Sequence, residues 1–291
     1  MKVIFELLLV FAVCVICSCN VINPAEDIPA YIYIDEFEFS TNFGQEGSAS
    51  QKISEIWVFA DGEMMGAYDL PANIPVLRDG ISSLSFRAGI RNNGIASTRI
   101  MYPFYEPFNE AIELRPAETD TVQPSYTYKD GLTFALREEF ESQGTQFGET
   151  SASDVNLVTS EEDGDVFEGD GSGLVIIPEG SNLWQARSIS PLALPAGEQM
   201  WVELNYKCNN TFAIGLIAHT GATEAKSLAL IINPTTDANG VDKWNKIYVE
   251  LSYVANQYIN ADSFDLYFEC VKQEAVSEVR LGLDNVKLVH Y

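Results

Sequence analysis

Three aromatic side chains, Trp201, Trp244 and Tyr248, are placed by strand alternation on the same strand faces as polar residues. Trp201 shares its face with Asn205, whereas the aliphatic residues of both strands point the other way. Rings in such a row, here called the aromatic strip, are either exposed or covered by something outside the packed sheets. Exposed rings bind the flat apolar face of a ligand while neighbouring polar groups hydrogen-bond its edge. The alternative interpretation is that these large rings cover sheet edges.

Catalytic side chains of the usual kinds are scarce in this chain. It has two histidines, His219 at the end of a predicted strand and His290 at the penultimate position. Neither has a recognisable serine or cysteine partner motif. A hydrolase with paired carboxylates stays open as an alternative, because such pairs are defined by geometry. The short, strand-rich halves leave no obvious large cleft, so we predict a protein that is not an enzyme.

The charge balance excludes one class of partner. The chain of 291 residues has 42 Asp and Glu against 17 Lys and Arg, which gives a formal net charge of −25. Nucleic acid is excluded as a ligand, because binding to phosphates needs a basic surface. Hydrophobic residues make up 46% of the chain, a fraction typical of a folded globular protein rather than a disordered one.

Residues 1–18 have the composition of a signal peptide. Lys2 precedes an apolar run from Leu7 to Cys17, and Glu6 is the one departure from the usual charge pattern. The run is too short to span a bilayer, but it has the length of the apolar core of a secretory signal. We therefore predict an exported protein.

The apolar run ends in Ile16-Cys-Ser-Cys19, which resembles the lipobox of bacterial lipoproteins. The resemblance implies cleavage before Cys19, lipidation of its thiol and fatty acylation (palmitate) of its amino group. Several acyl chains anchor a protein stably, so we predict an outer-membrane lipoprotein on the surface or periplasmic face. Signal cleavage without lipid is the alternative. Residues 19–28, which include Pro24, are predicted to form a flexible tether.

From Tyr31 onward the sequence predicts an all-β protein with two units. Short alternating runs are separated by Gly, Asn, Asp and Pro, and no helical period of three turns occurs. The first unit, residues 29–127, is predicted to be a small β-sandwich in which Asp61-Gly62 forms a hairpin turn. Residues 56–71, followed by Leu77-Arg-Asp-Gly80, resemble the small β domains of the PEGA and carboxypeptidase-regulatory type. Such domains serve as spacers or interaction platforms.

A polar linker, residues 128–135, is predicted to lead into a second unit, residues 136–291. Eight strands are predicted in the second unit: Leu174–Ile177, Ser188–Leu194, Met200–Cys208, Thr211–His219, Ser227–Asn233, Trp244–Tyr253, Ser263–Lys272 and Glu278–Tyr291. This number over about 155 residues predicts a jelly-roll β-sandwich. The segments 136–141, 166–176, 244–251 and 282–288 resemble, in this order, the jelly roll of carbohydrate-binding modules.

The resemblance to carbohydrate-binding modules implies a saccharide as the ligand of the aromatic strip, with Asn205 among the groups that hydrogen-bond it. It also implies a structural Ca²⁺ site, because in related jelly rolls three acidic positions converge at the edge of the sandwich. The matching positions are Glu139 or Glu141, Asp170 and Asp284. Oxygen ligands from several loops suit Ca²⁺. The alternative is a solvated acidic loop and an Asp that caps a turn.

After processing, Cys208 and Cys270 are the two cysteines that remain besides Cys19. Both fall on the inward faces of their predicted strands, and export permits a disulfide between them. Two separate buried thiols explain the same pattern.

Two functions compete. One is a glycan-binding module, and the other is a structural or assembly protein of the cell envelope that makes protein–protein contacts. An outward aromatic strip flanked by polar side chains favours the first, whereas a strip buried between the units favours the second. The run Tyr102–Phe108, which contains Pro103 and Pro107, is predicted to be an edge segment that packs its rings onto the first unit. A surface for a partner is its alternative interpretation.

Overall fold

The computed structural model describes residues 26–142 and 144–291. The protein is all-β, with a small N-terminal β-sandwich followed by a C-terminal jelly-roll β-sandwich, as predicted. Residues 1–18, Cys19 and most of the tether 19–28 lie outside the described residues, so the predictions about them stay predictions. No helix in the two described ranges is long and apolar enough to cross a membrane.

The N-terminal unit contains ten strands and one short helix. They are β1 (Ala30–Ile34), β2 (Glu38–Phe39), α1 (Phe43–Glu46), β3 (Glu55–Ala60), β4 (Glu63–Asp69), β5 (Ala72–Val76), β6 (Gly80–Arg91), β7 (Arg99–Met101), β8 (Phe108–Leu114), β9 (Thr119–Thr121) and β10 (Ser125–Tyr126). One sheet has the order β4-β3-β6-β7, with β8 also paired to β6, and a second has the order β5-β1-β9. Strands β2 and β10 form a separate parallel pair.

The predicted turn between β3 and β4 is confirmed. Asp61 and Gly62 both have positive φ, 51° and 84°, and Ala60 pairs with Glu63 across the turn. Two consecutive residues with positive φ form the tight turn whose twist matches paired strands. Because alternate residues of these strands point inward, Val58 and Phe86 pack together in the core of this unit.

The C-terminal unit contains eleven strands and one short helix. They are β11 (Thr133–Glu138), β12 (Phe147–Glu149), β13 (Leu157–Ser160), β14 (Ser172–Ile177), β15 (Leu183–Ser188), β16 (Met200–Cys208), β17 (Phe212–Thr220), β18 (Thr223–Ile232), β19 (Asn245–Glu250), α2 (Ser252–Asn256), β20 (Ser263–Val271) and β21 (Val279–His290). One sheet has the order β13-β14-β21-β16-β19, with β11 paired to β21. The other has the order β12-β15-β20-β17-β18.

One predicted strand of the jelly roll is wrong. The structure has a strand at Leu183–Ser188 instead of Ser188–Leu194. Trp184 and Ala186 alternate into the core, so the period of two begins earlier than predicted. The sequence does not predict β11, β12 and β13: β12 and β13 are only three and four residues long, and β11 begins inside the predicted linker 128–135.

The first sheet of the jelly roll carries the N-terminal unit on its outer face. We call it the covered sheet, and the sheet formed by β12, β15, β17, β18 and β20 the open sheet. Tyr128 lies in the predicted linker 128–135, yet it is 4% exposed and belongs to the hydrophobic cluster at the junction. The predicted boundary between the two units stays a prediction, since packed contacts cross it.

Candidate functional site

The aromatic strip lies on the outer face of the covered sheet, as strand alternation predicts, but it is not exposed. Only 3% of the surface of Trp201 and 1% of that of Tyr248 is exposed to solvent. Phe104 lies edge-on to Trp201 with ring centroids 5.3 Å apart, and Tyr102 lies 4.9 Å from Tyr248. The prediction of an exposed strip is therefore wrong for these two rings, because the N-terminal unit covers them.

The same contact shows where the run Tyr102–Phe108 packs. Its rings Tyr102, Phe104 and Tyr105 join Trp201 and Tyr248 in one buried cluster at the junction between the units. The run packs onto Ala88 and Ile90 of the first unit, as predicted, and it also packs onto the jelly roll. A strip buried between the units is the arrangement that favours the structural hypothesis, but the surface it meets belongs to the same chain.

A buried carboxylate lies at the centre of this junction. Glu203 is fully buried and accepts hydrogen bonds from Tyr102 Oη at 2.7 Å and Tyr128 Oη at 2.9 Å. Its second oxygen lies 3.2 Å from Nζ of Lys246, which is also buried. Burial, followed by the Glu203 charge, raises the pKa of both tyrosines well above its usual range. Both hydroxyls therefore keep their protons and donate.

Trp244 and Asn205 are also occupied by structural contacts. The Trp244 ring packs against Gly282 and lies 5.5 Å from the ring of Phe167. Asn205 is buried, and its Oδ1 accepts a hydrogen bond from Ser50 Oγ at 2.8 Å. The four residues predicted to bind a ligand are thus not brought together at an accessible surface.

Of the predicted calcium ligands, Glu141 and Asp170 lie next to each other, whereas Glu139 and Asp284 have other partners. Glu141 accepts hydrogen bonds from the backbone N–H of Asp170, the nearer at 2.9 Å. Asp284 accepts from Ser172 Oγ at 2.5 Å, and burial raises its pKa to about 7. Burial also raises the pKa of Glu139. Within residues 26–142 and 144–291, no group of three or more His, Cys, Asp or Glu is arranged to hold a metal ion. The calcium prediction is therefore wrong for the described residues.

Cys208 and Cys270 are free, buried thiols. The backbone oxygen of Asn210 lies 2.7 Å from Cys208 Sγ, and Asn210 Nδ2 lies 3.4 Å from Cys270 Sγ. Burial raises the pKa of Cys270 to about 11, so this thiol stays protonated. The predicted disulfide is wrong, and the alternative of two buried thiols describes the structure.

The opposite face of the jelly roll has a different character. Along β15, β20, β17 and β18, the outward positions of the open sheet carry polar and charged side chains, while their neighbours enter the core. We call this surface the open face; its polar members are Gln185, Arg187, His219, Glu224, Lys226, Asp265, Tyr267 and Glu269. Their signal in the sequence is the alternation itself, as in Asp265-Leu-Tyr-Phe-Glu269, which predicts a strand but not its role.

The charged groups of the open face form a connected row across four strands, β15, β20, β17 and β18. Arg187 Nη1 lies 3.1 Å from Glu224 and 3.5 Å from Asp265. His219 Nε2 lies 3.0 Å from the same Asp265 oxygen. Asp265 is buried, so the exposed Arg187 and Glu224 are the groups of this row that can hydrogen-bond a ligand with many hydroxyl groups.

Tyr267 lies at the middle of the open face, but its ring is only 3% exposed and is covered by Lys226. It lies over Gly215, where an added Cβ would come within 2.7 Å of the ring. Lys226 Nζ lies 4.4 Å from the centre of the ring and 2.6 Å from Glu269. Burial, followed by the Glu269 charge, raises the pKa of Tyr267 to about 12, so its hydroxyl donates at neutral pH.

No protein-family model and no curated protein matches the chain. Solved structures with a similar fold are carbohydrate-binding modules of low sequence identity. One contains the CBM22-1 and GH10 modules of Clostridium thermocellum endo-1,4-β-D-xylanase 10B complexed with xylohexaose, at 15% identity and a TM-score of 0.39. The match covers 54% of this chain and 28% of that chain.

Two further structures are similar over more of their own length. A mutant of the family 29 module CBM29-2, complexed with mannohexaose, is 13% identical, with 55% of this chain and 91% of that chain covered and a TM-score of 0.35. A carbohydrate-binding module of the β-sandwich superfamily is 12% identical, with 91% of this chain and 99% of that chain covered and a TM-score of 0.37.

Proposed function

We propose that this protein is a non-catalytic outer-membrane lipoprotein whose jelly roll binds extracellular glycan on the open face. The proposal rests on the difference between the two sheets of the jelly roll. The N-terminal unit occupies the outer face of the covered sheet, whereas the open face carries a row of charged groups in which Arg187 and Glu224 are exposed. A saccharide offers hydroxyl groups to such a row.

Arg187 is the residue that best tests glycan binding. Hydrogen bonds to charged groups contribute about 1.5–3 kcal/mol, so Arg187→Ala is expected to weaken saccharide binding by at least about tenfold. Stability is expected to fall by less than for Glu203→Ala, because Arg187 is half-exposed and the buried carboxylate of Asp265 keeps its contact with His219 at 3.0 Å. A glycan array on residues 20–291 identifies a ligand, and calorimetry then compares the variants.

Arg115→Ala is the matched control, because Arg115 is an exposed arginine of the N-terminal unit that also pairs with two carboxylates. It is expected to bind the saccharide as the wild type does. Wild-type protein that binds no glycan on the array, or an Arg187→Ala variant with unchanged affinity, would contradict the proposal.

The membrane anchor is tested separately through Cys19. Cys19→Ala removes the thiol that the lipobox-like motif would present for lipidation. We expect the variant to leave the membrane fraction and to lose labelling by an alkyne fatty acid. The acyl chains attached at Cys19 would be its membrane anchor, and the variant cannot carry them. Cys208→Ala is the control and is expected to keep the label. Unchanged labelling of Cys19→Ala would reject the anchor.

A structural role in the envelope is the second candidate function. The edge strand β18 exposes Leu228 and Ile231 by 51% and 56%, and exposed apolar groups on an edge strand suit a protein contact. In that case Leu228→Ser with Ile231→Ser would abolish crosslinking to an envelope protein, while Arg187→Ala would leave crosslinking unchanged.

A further inference from the structure

A second concave site lies at the junction of the two units, away from the open face. The cleft has a volume of about 160 Å³ and is lined by Lys52 and Gly94 of the N-terminal unit and by residues of β16, β18 and β19. We call it the junction cleft. Its volume is well below the roughly 300–1,000 Å³ of sites for drug-sized ligands, so it suits a single small ring.

The charge of the junction cleft is opposite to that of the chain. Three basic residues, Lys52, Arg91 and Lys246, line it, and no acidic residue does. Two of these are already paired, since Arg91 contacts Asp69 and Lys246 contacts Glu203. In a chain with 42 acidic and 17 basic residues, a cleft with this lining favours an anionic ligand.

Lys52 is the cation left for a ligand. Within the two described ranges it lies in no ion pair, and its Nζ donates a hydrogen bond to Oδ1 of Asn245. Partial burial lowers its pKa, because the charged form loses water without gaining a carboxylate. An incoming carboxylate would supply that missing partner.

The remaining groups of the junction cleft suit a hydroxylated ring. Tyr206 Oη accepts a hydrogen bond from Asn245 Nδ2 at 3.1 Å, which leaves its own proton for a ligand oxygen. Ile247 and Leu230 form an aliphatic wall, and Ile247 Cδ1 lies 3.0 Å from the position of a Cβ on Gly94. Polar groups therefore face an apolar wall, as the edge and face of a sugar ring require.

We propose that the junction cleft binds a carboxylate-bearing sugar, a uronic acid residue, with its carboxylate on the ammonium of Lys52 and its ring against Ile247. This site is separate from the open face, and its occupation does not depend on glycan binding there. The protein would then hold acidic glycan at a second point, through a lysine that has no carboxylate partner among the described residues, whereas Arg187 and Lys226 of the open face are paired.

Titration calorimetry of residues 20–291 with D-glucuronate, D-glucose and acetate tests the proposal at low salt. Glucuronate is expected to bind at least tenfold more tightly than either of the others, and its binding to weaken as salt rises. Lys52→Gln is expected to reduce glucuronate affinity at least tenfold, which corresponds to about 1.4 kcal/mol. Asn245→Asp, which places a competing carboxylate beside Lys52, is expected to have the same effect.

Lys226→Gln is the matched control, because it removes the same charge from the open face. Its glucuronate affinity is expected to stay within twofold of the wild type, and this separates the junction cleft from the proposed glycan site. The inference is overturned if glucose or acetate binds as tightly as glucuronate, if Lys52→Gln binds glucuronate normally, or if Lys226→Gln loses it.

Discussion

Replacing Glu203 by alanine is expected to lower the free energy of unfolding by about 3–5 kcal/mol. The substitution leaves the buried ammonium of Lys246 without its carboxylate partner and removes the acceptor of two buried tyrosine hydroxyls. A buried charge without a partner costs far more than the pair contributes, because the remaining group has lost its water. The loss is therefore expected to exceed that of an ordinary surface substitution several-fold.

Urea unfolding of residues 20–291 measures this loss. Glu118→Ala is the matched control, because Glu118 is an exposed glutamate paired with Arg115, and it is expected to cost less than about 1 kcal/mol. Glu203→Gln keeps an acceptor for the tyrosine hydroxyls but removes the charge opposite Lys246, and is expected to fall between the two. A loss below 1 kcal/mol for Glu203→Ala would contradict the central role of this carboxylate.

Asp284→Asn is expected to stabilise the protein at pH 8 by on the order of 3–4 kcal/mol and to leave it nearly unchanged at pH 4. Burial raises the pKa of Asp284 to about 7 in the folded protein, from an ordinary value of 3.8. The folded state thus holds this proton more tightly than the unfolded chain does. Stability falls as pH rises from about 4 to about 7, and the penalty is complete above pH 7. Asparagine cannot ionise and removes the penalty.

Unfolding free energies at pH 4.5 and pH 8 measure the effect, and Asp237→Asn is a control of opposite sign. Three hydrogen bonds, led by that from Lys243, lower the pKa of Asp237 to about 2. At pH values above the pKa that Asp237 has in the unfolded chain, its charged form therefore stabilises the folded protein. Asp237→Asn is expected to lower the free energy of unfolding at pH 8. An Asp284→Asn variant less stable than the wild type at pH 8 would refute the prediction.

The strand faces of the jelly roll could be predicted, but not what covers them. Alternation assigned Trp201 and Glu203 to the outer face of β16, and Leu204 to the core, and the structure confirms this. The cover over Trp201 comes from Tyr102 and Phe104, about a hundred residues earlier in the chain. A period of two describes one strand at a time, whereas burial of its outer face depends on contacts distant in sequence.

The acidic residues were the least predictable part of the candidate site. The resemblance assigns Asp284 and Asp170 to calcium, but the Asp284 carboxylate accepts from Ser172, and Asp170 donates its backbone N–H to Glu141. Asp265 and Glu269 on the open face were not singled out, because an acidic residue on an alternating strand is usually solvated. Their partners Arg187 and Lys226 come from other strands, so the row exists only in the folded protein.

The buried contact between the two units also limits how such a chain can be inherited. Recombination that transferred the jelly roll alone would leave Trp201 and Tyr248 on a bare surface and the carboxylate of Glu203 without its tyrosine donors. The two units are therefore not interchangeable modules, despite their separate cores. Recombination should therefore transfer the coding sequence of both units together as one gene segment. A substitution at Tyr102 should select a compensating substitution at Glu203, its hydrogen-bond partner.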